Sequence, residues 1–387
     1  MSTRVIIGGL LSCLFVLSGC SRQEEAVDAG PSAAAAPPVE ESSGPATRDY
    51  MATVSRPNVV NLIDLHDNKV VRRCELPSGA APGTLVVSPD RNIAYALSDS
   101  FGNVFGVSLE TCEVVFSTQQ SEGNVRVKTI GSLAVSPDGS EIYTHQNRVT
   151  LNSDHYQVET PRVAVFDTAG GLDSRPVRTF EAPRQVTIMA TDAKGALYLG
   201  GADIYRMDVN TGEYEIALAS RSLDDPRYTQ RDILSVWPIG EVNREFVRMY
   251  SVARYQEGSD DLDSADWLWG YERVDLETGA TEDRDFGPLE VVLFTSLRRP
   301  GHPDRVYGVL TELKEFDAAT QSVLRTVELD HTYYCVNFST DGSRLYLSGA
   351  LSDVAVYDAD SLEKITNIQL SGDMGMANSY VFSRGTI

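Results

Sequence analysis

Short runs rich in Val, Ile, Tyr and Phe recur from about residue 49 to the C-terminal end, each closed by an aspartate and a turn before a second run begins. The pieces are "VVNLIDLHDNKVV" around Asp64, "VFGVSLETCEVVF" around Ser108, "RVAVFDTAGG" around Asp167, "IYRMDVNTGEYEI" around Asp208, "YERVDLETGAT" around Asp275, "LKEFDAATQSVL" around Asp317 and "VAVYDADSLEKI" around Asp358. Successive anchors lie 44, 59, 41, 67, 42 and 41 residues apart. A period of about 40–45 residues, broken by two insertions, is that of propeller blades.

A second motif falls between the first set: "VVSPDRNIAYAL" at 86–97, "AVSPDGSEIYTH" at 134–145, "MATDAKGALYLG" at 189–200 and "NFSTDGSRLYLS" at 337–348. Asp bonds its own backbone in such turns and Gly accepts positive φ, so each turn joins an inner strand to the next. Weaker versions stand at 235–251 and 296–310. The first β run, 49–56, has no inner partner before it, whereas the last, "NSYVFSR" at 378–384, has none after it. Pairing the two closes the ring and removes exposed edges. The expected fold is all-β: a seven-bladed β-propeller over residues 49–387, closed by pairing of the C-terminal strand with the N-terminal blade.

The leading 48 residues differ in kind. Arg4, the apolar run 5–16 and Leu17-Ser18-Gly19-Cys20 form a short export signal, too short to span as a permanent helix. The last four residues resemble a bacterial lipobox. The expectation is a signal peptide over 1–19, lipidation at Cys20, a flexible Ala/Pro/Glu/Ser tether over 20–48, and a periplasmic protein held to the outer membrane by its lipid. The remaining thiols are Cys74, Cys112 and Cys335. Export permits a Cys74–Cys112 bridge, but three scattered thiols make no disulfide framework, and isolated buried cysteines are the expectation. The chain of 387 residues carries 55 acidic and 33 basic residues, a formal charge of −22. That balance lacks the basic stripe nucleic acid requires and leaves the lipid as the only expected tie to a membrane.

Chemistry within the chain is sparse. No Cys-x-x-Cys-His, His-Glu-x-x-His, Walker or Gly-x-Ser-x-Gly motif occurs. His145, Asp154, His155 and Glu159 share the insertion 145–161, and "SDDLDSAD" at 259–266 lies in the second insertion, 255–269; neither has ligand spacing, and both read as polar loops without metal. His331, Tyr333, Tyr334 and Cys335 crowd into five residues. Alternation of Cys335, Asn337 and Ser339 with Tyr334, Val336 and Phe338 makes this a strand entry, with His331–Tyr333 in the loop that feeds it. Inter-blade connections and second-to-third strand loops share one face of a propeller, and that face is the expected interface.

The segments "RDYMATVSRPNVVNLID" at 48–64, "VETPRVAVFD" at 158–167, "FEAPRQVTIMA" at 180–190 and "HTYYCVNFSTDGSRLYLSGALSDVAVYDADSLEK" at 331–364 are more specific than propeller turns demand. Over residues 48–384 the chain resembles the β subunit of the periplasmic quinohemoprotein amine dehydrogenases, within the YVTN/WD40-like propellers. The resemblance implies a heterotrimer that oxidises primary amines to aldehyde and ammonia. Its α subunit carries c-type haems, its γ subunit carries cysteine tryptophylquinone and the catalytic base, and the β subunit has neither cofactor nor catalytic residue. It makes Arg184, Gln185, His331, Tyr333 and Tyr334 the candidate interface or pocket-lining residues, with the amine at the β/γ boundary. The lipobox departs from the soluble family picture. A lipid-anchored propeller scaffold for outer-membrane protein assembly is the alternative, although its Asp-x-x-Thr-Gly-x-x-x-Trp signature lacks the Trp here. A metal-dependent propeller lactonase is a third reading, with no convincing ligand set.

Overall fold

The computed structural model describes residues 47–385 except 78 and 236. The expected signal peptide, Cys20 and the tether up to residue 46 lie outside the described residues. Thr47 and Arg48 belong to the first strand, Thr47–Ser55, where Arg48 lies opposite Arg384 and its guanidinium is 3.3 Å from the Asp64 carboxylate. Among the described residues no helix is long and apolar enough to cross a membrane.

Seven antiparallel sheets form the propeller, six of four strands and one of six. Blade 2 shows the pattern: inner strand Leu85–Val87, then Ile93–Ser98, Asn103–Ser108 and outer strand Val114–Ser117. Inner strands are covered by neighbouring blades on both sides, so Leu85–Val87, Leu133–Val135 and Cys335–Phe338 are buried throughout. The outer strand Lys69–Glu75 instead alternates exposed and covered positions.

In blade 1 the C-terminal strand Ser379–Gly385 is innermost, paired with Thr47–Ser55 in the register Tyr50 opposite Phe382 and Ala52 opposite Tyr380. The expected closure is therefore the one present. Leu62, Ile63 and Val381 of blade 1 pack with Val354 and Val356 of blade 7 and with Leu85 of blade 2 in one buried cluster. Each such fully buried aliphatic side chain is worth about 1.5–3 kcal/mol.

The anchor residues explain the period. Asp64 Oδ1 accepts the His66 N–H at 2.9 Å, Ser108 Oγ the Thr111 N–H at 3.1 Å, Asp167 Oδ1 the Ala169 N–H at 2.8 Å and Asp208 Oδ1 the Asn210 N–H at 2.7 Å. Asp275, Asp317 and Asp358 hold their turns through Thr278, Ala319 and Ser361 in the same way, at 2.8, 2.9 and 2.8 Å. In the inner turns a serine hydroxyl bonds the aspartate two residues on, as Ser136 does with Asp138 at 2.6 Å. That bond holds the Asp138 carboxyl down at about 2.

Three features depart from the sequence reading. Cys74 of blade 1 and Cys112 of the blade 2 turn form a disulfide, correcting the expectation of isolated thiols; only Cys335 is free and buried among the described residues. Neighbouring blades bring the two cysteines together across a separation of 38 residues, which spacing alone does not reveal. The insertion at 145–161 is strand-rich rather than a polar loop: Glu141–Leu151 runs past its blade and pairs with Val125–Lys128 and Tyr156–Val158. The second insertion caps a long hairpin, Glu245–Arg254 against Asp266–Asp275. There Gly270 lies opposite Tyr250, and a Cβ on it would come within 2.1 Å of the tyrosine ring.

Candidate interaction face

The first strands of blades 6 and 7, Thr295–Arg299 and Cys335–Phe338, are each entered through an aromatic residue, Phe294 and Tyr334. Blade 5 does otherwise. Its inner strand is only Asp232–Leu234, and the segment after it leaves the sheet to run through the central channel. Trp237 Nε1 donates to the Met376 carbonyl at 2.9 Å, the Asn378 amide reaches the Pro238 carbonyl at 3.3 Å, and Glu241 accepts the Val381 N–H at 2.8 Å. These contacts join blade 5 to the closing strand of blade 1 and to the connection just before it.

This detour lays the Trp237 indole over the entries of the next two blades. Trp237 and Tyr334 stack at 5.7 Å and 7°, Phe294 and Tyr334 at 5.1 Å and 15°, and Trp237 and Phe294 at 5.7 Å and 22°. Such pairs add about 0.5–1.5 kcal/mol each beyond their burial.

Beside it, His331 and Tyr333 converge on Asp353, the first residue of the strand Asp353–Asp358. His331 Nε2 lies 2.8 Å from Asp353 Oδ1, and the Tyr333 hydroxyl donates to Asp353 Oδ2 at 2.8 Å. His331 Nδ1 lies 2.9 Å from the Thr332 carbonyl. The rings of His331 and Tyr333 lie 4.1 Å apart. Tyr333 is fully buried, and burial, reinforced by its bond to Asp353, pushes its phenol far above the ordinary range. Tyr333 thus supports the wall from behind; Tyr334, partly exposed, is the face of it.

Arg184 and Gln185 are exposed in the connection into blade 4, three blades from the His331 loop, and the two groups do not meet. Gln185 adopts φ 63°. Below them buried His145 points Nε2 at the Pro183 carbonyl at 2.8 Å, and burial lowers its basicity. His155 is instead exposed, bonded to Asp154 at 2.8 Å, while Glu159 accepts from Thr150 at 2.8 Å, so this set does not converge.

Sequence reasoning missed Trp237, Phe294 and Asp353. The available signal was the irregular hairpin "SVWPIGEVNREF" at 235–246, where Pro238 and Gly240 replace the usual Asp-Gly turn.

The exposed large apolar side chains of the loop face include Phe101, Ile130, Val292, Leu351 and Met376, each 38–55 % exposed, and Trp267 on the long hairpin at 50 %. A second buried device stands behind this face: Arg248, 2 % exposed, donates to the Glu272 carboxylate and the Gly201 carbonyl at 2.5 Å each, while Arg231 bonds Glu272 from the other side at 2.9 Å. It fixes the long hairpin to blade 4.

No family model matches the chain, and no curated protein does. Among solved structures it is similar to the dihydro-heme d1 dehydrogenase NirN in complex with DHE, at 15 % identity and TM-score 0.52, covering 86 % of this chain and 75 % of that one. It is also similar to a functionally unknown protein from Desulfotomaculum acetoxidans, at 10 % identity and TM-score 0.50, covering 86 % and 98 %. At these identities the likeness is one of fold, the propeller.

Proposed function

We propose that this chain is the non-redox β subunit of a periplasmic amine dehydrogenase complex, shaping the amine pocket with its loop face and holding a quinone-bearing γ subunit against a haem-bearing α subunit. The observation that carries the reading is the apolar loop face, where Met376, whose carbonyl accepts from Trp237, and Leu351 of blade 7 stand about half exposed near the Trp237–Phe294–Tyr334 stack. Clustered exposed apolar side chains mark a surface that another chain covers. The "HTYY" segment that carries the resemblance contributes both the outer ring of the stack and the His331–Tyr333–Asp353 brace behind it.

The chemistry of these groups suits a wall. The His331 and Tyr333 polar groups are turned inward onto Asp353, leaving the partly exposed ring of Tyr334 toward the partner. Such a surface excludes water from a quinone and limits hydrolysis of its adducts. The quinone, when bound in the partner, supplies the oxidation; this chain positions and encloses. Lipid anchoring through Cys20 would hold the complex at the periplasmic side of the outer membrane.

The reading predicts neighbouring reading frames for a dihaem protein and for a short Cys- and Trp-containing chain, and the test is co-expression of the three. The expected result is a complex carrying haem absorbance, weakened about 30-fold or more by Tyr334→Ala, the scale of a hot-spot residue. Failure of the three chains to associate would refute the proposal.

A further inference from the structure

The opposite end of the channel holds a cavity of about 260 Å³, ringed by the inner turns of blades 2, 3, 4 and 5, which contribute Arg91, Pro137, Ala193 and Arg244. Ligand pockets for drug-sized molecules run from about 300 to 1,000 Å³, so this one suits a guest of a few carbons. Its walls are apolar: Val86, Leu133 and Met189 come from inner strands and Ile239 from the blade 5 detour.

Three carboxylates line the cavity, and each is already held. Asp192, 4 % exposed, accepts the Lys194 and Ala196 N–H groups at 2.9 Å each. Glu245 takes Arg298 and Arg273, and Glu241 takes the Val381 N–H at 2.8 Å and the Asn337 amide at 2.9 Å. The second oxygen of each glutamate is buried. Burial also raises the Glu241 carboxyl to about 7, which lessens its charge near neutrality.

The arginines differ. Arg91 makes no ion pair among the described residues, although the chain carries 55 acidic side chains. Its turn is fixed by the bond from Arg384 to the Arg91 carbonyl at 3.0 Å. Its guanidinium acts on both Glu241 and Tyr380, which line the same cavity, so its charge is felt inside the channel. Arg244, ion-paired with Glu277, also acts on Tyr380. A guanidinium offers a planar fork of N–H donors that matches a carboxylate, and an unpaired one beside apolar walls suits an anion with an apolar tail.

We propose that this cavity binds a small aliphatic carboxylate, its oxygens taken by the Arg91 fork and the Tyr380 hydroxyl and its carbon chain laid against Val86, Leu133 and Ile239. The site stands independently of the partner proposed for the loop face.

Calorimetric titration of the purified chain with sodium butyrate tests this, with sodium acetate and n-butylammonium chloride as comparators. Each buried methylene tightens binding about 4-fold, so butyrate, with two more than acetate, should bind saturably and about 15-fold more tightly. Butylammonium, which has the same tail and the opposite charge, should bind about 10-fold more weakly or worse than butyrate. Arg91→Gln should weaken butyrate by about 10-fold or more, and Tyr380→Phe by about 5-fold. Absence of saturable butyrate binding, acetate binding as tightly as butyrate, butylammonium binding as tightly as butyrate, or an unchanged affinity in Arg91→Gln overturns the proposal. The comparison of ions on the unaltered chain decides the matter even if Arg91→Gln does not fold.

Discussion

The Cys74–Cys112 bridge ties the outer strand of the closing blade to the turn of its neighbour. Blade 1 is built from both ends of the described chain, so it is where an unfolding ring opens. Linking residues separated by 38 positions removes loop-closure freedom from the unfolded chain, worth about 4 kcal/mol at 25 °C in the chain-entropy treatment. Replacing both cysteines by serine should lower stability by that order. Cys74 is 1 % exposed, so a Cys74→Ser hydroxyl also needs a partner, and the neighbouring Ser108 carbonyl, 3.9 Å from the sulfur, can supply it. Urea unfolding followed by tryptophan fluorescence measures the change. With a slope of about 3 kcal/mol per M the midpoint should fall by about 1.3 M. Reductant should shift the unaltered protein as far and leave the double-serine variant where it is. Equal midpoints with and without reductant would refute the argument that the bridge staples the ring.

Two further perturbations probe the channel and the wall. Glu241 has a folded-state value of about 7, above its ordinary 4.5, so its contribution to stability is full below about 4.5 and lost as pH rises through 7. That amounts to about 3 kcal/mol, and the urea midpoint of the unaltered chain should drop between pH 5 and pH 8 more than that of Glu241→Gln; parallel profiles would contradict a buried, neutral acid. Tyr333→Phe leaves Asp353 Oδ2 without its hydroxyl donor, and denaturation should register a loss of about 1–3 kcal/mol, whereas an unchanged midpoint would mean the brace is idle.

The fold was legible because the propeller is made of local units. Each anchor, such as Asp275 or Asp358, bonds backbone two or three residues away, and a contact of that range writes itself into sequence as a period. Closure was legible too, since Ser379–Gly385 and Thr47–Ser55 were each strand-like and each lacked a neighbour. The site was legible only in part. "HTYY" marked one component of the wall, but Tyr333 and Tyr334 do opposite things, one buried against Asp353 and the other turned toward Trp237. Alternation along a strand separates their faces without saying what each face meets. Trp237 lies 97 residues from Tyr334 in sequence, and the Cys74–Cys112 pairing depends likewise on which blades are adjacent. The channel detour was hidden for another reason: Ser235–Glu241 kept the outline of a strand entry while Pro238 removed the donor a regular inner strand needs.

The central claim is that the loop face receives a quinone-bearing partner and encloses its substrate. Its most direct test is the haem absorption spectrum of the co-expressed complex before and after addition of a primary amine, for the unaltered chain and for a variant carrying Leu351→Glu and Met376→Glu. Both residues are about half exposed, so the exchange puts two charges on the contact without disturbing the core. The account predicts amine-dependent haem reduction in the unaltered complex, none with the propeller alone, and loss of both assembly and reduction in the charged variant. Amine oxidation by the isolated propeller, or full reduction with the charged face, would contradict it.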